Sequence, residues 1–260
     1  MHVKSIAKNK STGIPDGVLK LEYISSQDGI EDWALLWPGE NIKVWVVFIH
    51  GHGSHGDQLY SEKDICEGWL KPFISLNYGI LTPNLRGNAW MSPKAVSDMH
   101  DLIGFLRNNY KAEKFIFFSG SMGGTSSLIY ATLFPDEVNA VISLAAATDL
   151  ASYFNWCRDR YTGITKEIAD AIEIAYGGSP DQVPEIYKQH STLKNRPRLT
   201  MPIFLAHGSH DEIIPVSQAQ QLFQLMSTKR NFVYKEISGC PHAIPNAIVK
   251  EGIDWLKSVI

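Results

Sequence analysis

Short apolar runs recur along the chain from Val44 onward, and each is followed by a loop and a longer segment with helical periodicity. The runs are rich in β-branched and aromatic residues and span residues 44–49, 79–82, 115–118, 140–144, 203–206 and 232–237. Largely apolar runs without strict alternation are typical of parallel strands that are buried on both faces. Because such strands alternate with helical segments, the pattern predicts an α/β fold with a mostly parallel central sheet and helices on both faces.

The first part of the chain has a different pattern. Two segments with strand character, 18–24 and 33–37, flank the turn-rich stretch Ser25–Gly29. A turn of this composition between two strands predicts an antiparallel hairpin. We therefore expect an N-terminal hairpin to lead the fold.

Helical periodicity is clear between the strands. Ser92 and Pro93 supply an N-cap and a first-turn proline for a helix that reaches about Tyr110. Further helices are predicted over residues 59–76, 122–134, 215–226 and 243–259.

Residues 150–198 interrupt the alternation of strands and helices. They contain two helical patterns of their own, at 165–176 and 184–190. We interpret this stretch as a small helical cap insertion within a single domain that spans residues 1–260.

Charge and apolar content narrow the possible partners and location. The 24 Lys and Arg residues nearly balance the 27 Asp and Glu residues, which gives a net charge of −3, so nothing favours a nucleic acid or an anionic membrane as partner. No apolar run approaches the roughly 20 residues of a membrane-spanning helix. The N-terminus lacks the apolar core of a secretory signal, and three widely separated cysteines suggest reduced thiols. We expect a cytoplasmic protein.

The segment Ser119–Gly124 lies between a predicted strand and a predicted helix. A nucleophile elbow needs this context, with small residues two positions before and after the serine, and Ser119 and Gly123 meet that need around Ser121. The backbone N–H of Met122, at the start of the helix, would face a developing oxyanion. A glycine-rich turn without catalysis would have the same local pattern.

The segment His50–Gly53 directly follows the strand at 44–49. An oxyanion hole needs a second N–H, which a glycine-containing loop from a neighbouring strand supplies, and His52 is the candidate through its main chain. The histidines at 50, 52 and 55 also match the ligand spacing of zinc hydrolases related to metallo-β-lactamases, although Ser54 stands where that pattern has aspartate. Because a metal site would leave the Ser121 segment unexplained, we predict no metal.

Two further loops supply a candidate acid and a candidate base. Asp211 follows the strand at 203–206, where a carboxylate would orient a histidine ring; Glu212 and Asp149 are the alternatives. His242 lies in the loop between the last strand and the last helix. The resulting order of serine, aspartate and histidine is that of an α/β-hydrolase.

On these motifs the chain resembles the α/β-hydrolase superfamily from about Val18 to Ile260. Three segments are similar to the branch that contains prolyl-oligopeptidase-type peptidases and single-domain esterases: Asn84–Gly87, Tyr176–Pro180 with Tyr187–Ser191, and His207–Asp211 with Ile214 and Pro215. The peptidases of that branch usually carry a large accessory domain. Since 260 residues leave no room for one, the resemblance favours esters over peptides.

The resemblance implies a serine hydrolase that cleaves carboxylic esters of small molecules through an acyl-enzyme. Ser121 would be the nucleophile, His242 the base and Asp211 its orienting acid, with an oxyanion hole at His52 and Met122. A small peptidase or acyl-peptide hydrolase, a metallohydrolase, and a ligand-binding module that retains the triad are the alternatives. No glycine-rich dinucleotide motif follows the first strands, so we expect no cofactor.

Aromatic residues at the start of the cap are candidates for the substrate pocket. Tyr153, Phe154 and Trp156 follow the strand at 140–144, on the edge where α/β sheets bind ligands. Trp90 is a further candidate. The alternative is that these side chains only attach the cap to the sheet.

Overall fold

The computed structural model describes residues 1–9, 11 and 13–260. These residues form a nine-stranded sheet with the order β1-β2-β3-β5-β4-β6-β7-β8-β9. The strands are β1 His2–Lys8, β2 Leu19–Ile24, β3 Glu31–Trp37, β4 Asn41–Val47, β5 Tyr78–Pro83, β6 Lys114–Gly120, β7 Ala140–Leu144, β8 Ile203–Gly208 and β9 Phe232–Ile237. Strands β4 to β9 pair in parallel, whereas β1, β2 and β3 pair antiparallel and β3 joins β5 antiparallel.

The predicted mostly parallel sheet and N-terminal hairpin are confirmed. The hairpin does not lead the fold, however, because β1 precedes it and pairs with β2. β1 lies at the edge of the sheet, and its side chains are exposed or half-buried. An edge strand of this kind does not need a continuous apolar run, and its sequence alternates apolar with polar or basic residues.

Ten α-helices are present in the described part of the chain. They are α1 Gln58–Ser61, α2 Lys63–Ile65, α3 Lys71–Ile74, α4 Pro93–Tyr110, α5 Met122–Leu133, α6 Leu150–Asp159, α7 Gly163–Tyr176, α8 Pro184–His190, α9 Ser217–Met226 and α10 Asn246–Val259. None of the helices in these residues is long and apolar enough to span a membrane.

Side chains on the two faces of the sheet enter two separate cores. On β4, Trp45 and Val47 belong to one core, and Val44 and Val46 to the other. The first core is covered by α4 to α9, and the second by α1 to α3 and α10. Helices on both faces, as predicted, bury strands that are apolar on both sides.

The prediction of a single helix over residues 59–76 is wrong. Glu62 is extended (φ −89°, ψ 117°) and separates α1 from α2, while Cys66–Leu70 form a π-helical turn before α3. The Glu62 carboxylate accepts hydrogen bonds from Ser54 Oγ (2.6 Å) and Gln58 Nε2 (3.0 Å). These bonds hold the break in place beside the loop that follows β4.

Helix α10 also begins later than predicted, at Asn246 instead of residue 243. Pro245 stands at its N-cap, and a proline disfavours helical geometry in the residue before it. The segment between β9 and α10 therefore stays a loop, which presents His242.

Candidate active site

Ser121 occupies a tight turn between β6, which ends at Gly120, and α5, which begins at Met122. Its backbone has φ 57° and ψ −127°, a conformation that is strained for a residue with a side chain. The turn is held by Ser119, whose Oγ accepts a hydrogen bond from Ile49 N–H at 2.8 Å. Serine at the first small position of the elbow therefore connects β6 to the segment that directly follows β4.

The structure brings His242 between Ser121 and Asp211. Its Nε2 lies 2.9 Å from Ser121 Oγ, and its Nδ1 lies 2.8 Å from Asp211 Oδ2. Because the carboxylate accepts, Nδ1 carries the proton and Nε2 is free to accept from the serine hydroxyl. The imidazole side chain is 23% exposed, whereas that of Asp211 is enclosed.

Asp211 accepts three hydrogen bonds and has a fourth close polar neighbour. Its Oδ1 accepts from the N–H groups of Ile213 and Ile214, both at 2.9 Å, its Oδ2 accepts from His242 Nδ1, and His207 Nε2 lies 3.1 Å from the same Oδ2. Burial raises the pKa of Asp211, but its interactions with the two histidines outweigh burial and hold the pKa well below its usual range. The carboxylate is thus ionised when it faces His242.

Neither alternative acid lies against His242. Asp149 is the N-cap of α6, where its Oδ1 accepts from the N–H groups of Ala151 and Ser152. Glu212 is exposed. Of the three carboxylates considered from the sequence, the structure places Asp211 beside the imidazole.

The backbone N–H groups of His52 and Met122, the predicted oxyanion donors, have no hydrogen-bond acceptor among the described residues. Met122 is the first residue of α5, so its N–H has no partner within the helix. The loop around His52 is fixed on both sides, because Gly51 N–H donates to Gln58 Oε1 and Gly53 N–H donates to Asn88 Oδ1, each at 2.8 Å.

The rings of His50 and His52, which follow β4, contact other groups of the same chain. His50 is buried, with its ring nitrogens 2.8 and 2.9 Å from the carbonyl oxygens of Gly51 and Asn84. His52 Nδ1 accepts from Trp90 Nε1 at 3.2 Å. In the parts of the chain that the structure describes, no three His, Cys, Asp or Glu side chains are grouped to hold a metal.

A cavity of 230 Å³ lies beside Ser121 and His242. Its apolar wall includes Phe48, Trp69 and Leu144, and its rim carries polar side chains. The polar rim residues are Gln58, Asp64 and Asn246. A larger cavity of 630 Å³ lies between α4 and α7 and touches neither Ser121 nor His242, so we assign no catalytic part to it.

This cavity wall was not predicted from the sequence. Trp69 packs against Phe48 and Phe118, with ring centroids 5.6 and 5.4 Å apart, and a Cβ on Gly120 would fall 3.3 Å from its ring. One feature of the sequence could have indicated it: residues 58–70 directly follow the loop that supplies the candidate oxyanion donor. Their π-helical turn, which turns Trp69 toward Gly120, has no clear sequence signature.

The aromatic residues predicted for the pocket lie elsewhere. Trp90, Tyr153 and Phe154 are buried, and Trp156 is half-buried and stacked on Tyr153. Tyr153 also packs against Trp90 and donates to the carbonyl of Ile213. None of the four lines the cavity beside Ser121, and no residue of 150–198 does so, so their contact with substrate stays a prediction.

The chain is similar to one known protein family and to a known esterase. The BD-FAE family matches residues 38–226. Esterase LipC of Mycobacterium tuberculosis is 27% identical over 218 residues, which are 76% of this chain and 52% of LipC. The chain therefore spans about half the length of that relative.

Two solved structures show the fold. A putative dipeptidyl aminopeptidase IV from Bacteroides ovatus superposes with a TM-score of 0.73 at 13% identity, over 94% of this chain and 36% of that one. The esterase Pf2001 of Pyrococcus furiosus superposes with a TM-score of 0.67 at 14% identity, over 97% of this chain and 99% of that one.

Proposed function

The chain belongs to the BD-FAE family and has the α/β-hydrolase fold, and from that premise we propose that it is a serine hydrolase that cleaves carboxylic esters. The observation that carries the proposal is His242, which contacts Ser121 Oγ with one ring nitrogen and Asp211 with the other. This arrangement makes a serine hydroxyl nucleophilic, because the ring takes its proton during attack.

In the proposed reaction, Ser121 Oγ attacks the ester carbonyl carbon while His242 Nε2 accepts the hydroxyl proton. Asp211 stabilises the imidazolium that forms. The tetrahedral intermediate then expels the alkoxide, which takes the proton from His242 and leaves as an alcohol. Water, deprotonated by His242, attacks the acyl-enzyme and releases the carboxylic acid, and the proton returns to Ser121.

The negative charge of each tetrahedral intermediate falls on the former carbonyl oxygen. The N–H groups of His52 and Met122 are proposed to donate to that oxygen, since both lack an acceptor in the described part of the chain. Preorganised donors of this kind contribute roughly 3–4 kcal/mol each to stabilising the transition state in other hydrolases. The fixed positions of Gly51 and Gly53 support this role for His52.

The cavity beside Ser121 is proposed to hold one of the two groups attached to the scissile carbonyl. Its volume of 230 Å³ lies below the roughly 300–1,000 Å³ of sites for drug-sized ligands, which favours a small group. Phe48, Trp69 and Leu144 would contact its apolar part.

A carboxylic ester is favoured over a peptide because the relative LipC is an esterase and because an alkoxide is a better leaving group than an amine. Peptidase activity is the second candidate, since the solved structure from Bacteroides ovatus is a putative dipeptidyl aminopeptidase. Nitrophenyl esters and an aminoacyl anilide, assayed side by side, separate the two candidates. Faster turnover of the anilide would overturn the ester assignment.

Ser121→Ala tests the nucleophile. Ser97→Ala is its matched control, because Ser97 is a half-buried serine of α4 whose Oγ donates only to the Pro93 carbonyl. We expect Ser121→Ala to lose about 10⁴-fold or more in kcat and to resist labelling by a fluorophosphonate, while the control keeps both. Labelling at another residue, or near-normal turnover by Ser121→Ala, would contradict the proposed function.

A further inference from the structure

His207 lies on β8 directly beneath the candidate triad. Its side chain is fully buried, and its Nε2 lies 3.1 Å from Asp211 Oδ2 and 2.9 Å from the carbonyl oxygen of Ile214. Asp211 Oδ2 is the same oxygen that faces His242 Nδ1 at 2.8 Å. Two histidines therefore converge on one carboxylate oxygen.

The surroundings of His207 determine which of its ring nitrogens carries the proton. Both neighbours of Nε2 are oxygen acceptors, so Nε2 must be protonated to avoid lone-pair repulsion. Its Nδ1 is buried with no hydrogen-bond partner among the described residues. A proton there would leave a buried donor unsatisfied, which costs more than a bare lone pair, so the geometry favours the neutral ring with its proton on Nε2.

We propose that His207 is a positioning residue of the catalytic site, whose Nε2–H shares Asp211 Oδ2 with His242 and so fixes and partly neutralises the carboxylate that orients the base. The inference rests on the proposed function. It differs from the triad itself because His207 touches neither the substrate position nor Ser121 and acts through Asp211.

Donation by His207 has a definite effect on the base. It draws negative charge from Oδ2, so it weakens the stabilisation that Asp211 gives to the His242 imidazolium. Without the donor, His242 would hold its proton to higher pH. His242 must be unprotonated to accept the serine proton. The acid limb of the pH profile of kcat/KM would therefore shift to higher pH.

Other titratable groups around Asp211 and His207 do not produce this effect. Burial raises the pKa of Tyr153 and of Cys240, so both face Asp211 in their neutral forms. Glu236 faces His207 from β9, and its pKa is lowered by hydrogen bonds from Gln220 and Tyr234. Glu236 is therefore already ionised across the range in which the acid limb is measured.

The test compares His207→Leu, which removes the donor, with His207→Gln, whose side-chain amide keeps an N–H within reach of Asp211. We expect the leucine variant to raise the acid limb by roughly half a pH unit or more and to lower kcat about tenfold or more, with KM nearly unchanged. The glutamine variant should stay close to the parent protein in both. His190→Leu, which removes another buried histidine, is the control for loss of packing and should leave the acid limb in place.

An unmoved acid limb in a folded His207→Leu, or equal behaviour of the leucine and glutamine variants, would overturn the proposal. If His207→Leu does not fold, nitrogen NMR of the histidines in the unaltered protein decides. A neutral His207 with its proton on Nε2 supports the proposal, and a proton on Nδ1 overturns it. Failure of the proposed function is separate, because it would appear as absent labelling of Ser121 in the parent protein.

Discussion

Gly123 lies so close to Ile49 that a Cβ atom added to it would fall 1.9 Å from the Ile49 carbonyl oxygen. Ile49 N–H, in turn, donates to Ser119 Oγ. The chain on both sides of Ser121 is thus packed against Ile49, which follows β4 and leads into the loop with His52. The candidate nucleophile and the candidate oxyanion donor are thus held in one rigid unit, which is what preorganised catalysis requires.

Gly123→Ala should disturb this unit. We expect it to lower the free energy of unfolding by about 1–3 kcal/mol through overpacking and to lower kcat, because the elbow and the loop with His52 must move apart. Gly104→Ala is the matched control, since Gly104 lies within α4 and a Cβ there meets no atom within 4 Å. The control should be neutral or stabilising. Urea denaturation measures the stability of the two variants, and ester turnover measures their activity. A Gly123→Ala protein as stable and active as the parent would contradict the packing argument.

Asp211→Asn tests which carboxylate orients the base. Because an amide cannot hold His242 in the required tautomer, we expect kcat to fall by about 10³–10⁴-fold. Asp149→Asn should cost helix α6 at most about 1 kcal/mol of capping and change turnover little, and exposed Glu212→Gln should change neither. If Asp149→Asn instead caused the large loss of turnover, the orienting carboxylate would be Asp149, which follows β7.

Trp69→Leu tests the cavity wall. Removing the ring beside Gly120 enlarges the cavity, so the ratio of kcat/KM for a hexanoyl ester to that for an acetyl ester should rise about tenfold. Trp255→Leu is the control, because Trp255 packs on Phe204 and does not line the cavity. Both variants lose aromatic packing, and the Trp69 variant alone should change the ratio.

The same esters test the aromatic residues at the start of the predicted cap. Tyr153→Leu is expected to lower the melting temperature and leave the ratio unchanged, since Tyr153 is buried between Trp90 and Trp156. A changed ratio without loss of stability would instead support the pocket that the sequence predicted at Tyr153, Phe154 and Trp156.

The sequence predicted those features that local chemistry determines. The parallel strands follow from runs apolar on both faces, and the turn at Ser121 follows from the small residues that a strand-to-helix reversal needs. Each of the three residues Ser121, Asp211 and His242 ends or follows a strand at one edge of the sheet, so chain order alone suggested that they meet.

Features that depend on tertiary contacts were not predicted. The break at Glu62 is held by Ser54 and Gln58, and Gly68 lies in the π-helical turn, where an added Cβ would fall 2.1 Å from Asn246 Oδ1. Neither contact is visible in a helical periodicity. Since these contacts place Trp69, the cavity wall could not be located from sequence alone.

The buried ring of His190 makes the stability of the protein depend on pH. Its Nδ1 lies 3.1 Å from the carbonyl oxygen of Met91, and burial lowers its pKa from 6.5 to about 4. Between these two values the unfolded chain binds a proton that the folded chain does not. Stability from the neutral ring is therefore complete above about pH 6.5 and is lost as the pH falls toward 4.

We expect the parent protein to lose on the order of 2 kcal/mol from this group between pH 7 and about pH 4.5. His190→Asn keeps an N–H donor for Met91 but does not titrate in that range, so its stability should fall less over the same interval. Urea midpoints of both proteins at the two pH values measure the difference. Parallel curves for the parent and His190→Asn would show that the folded chain accommodates a protonated His190 and that other groups cause its acid sensitivity.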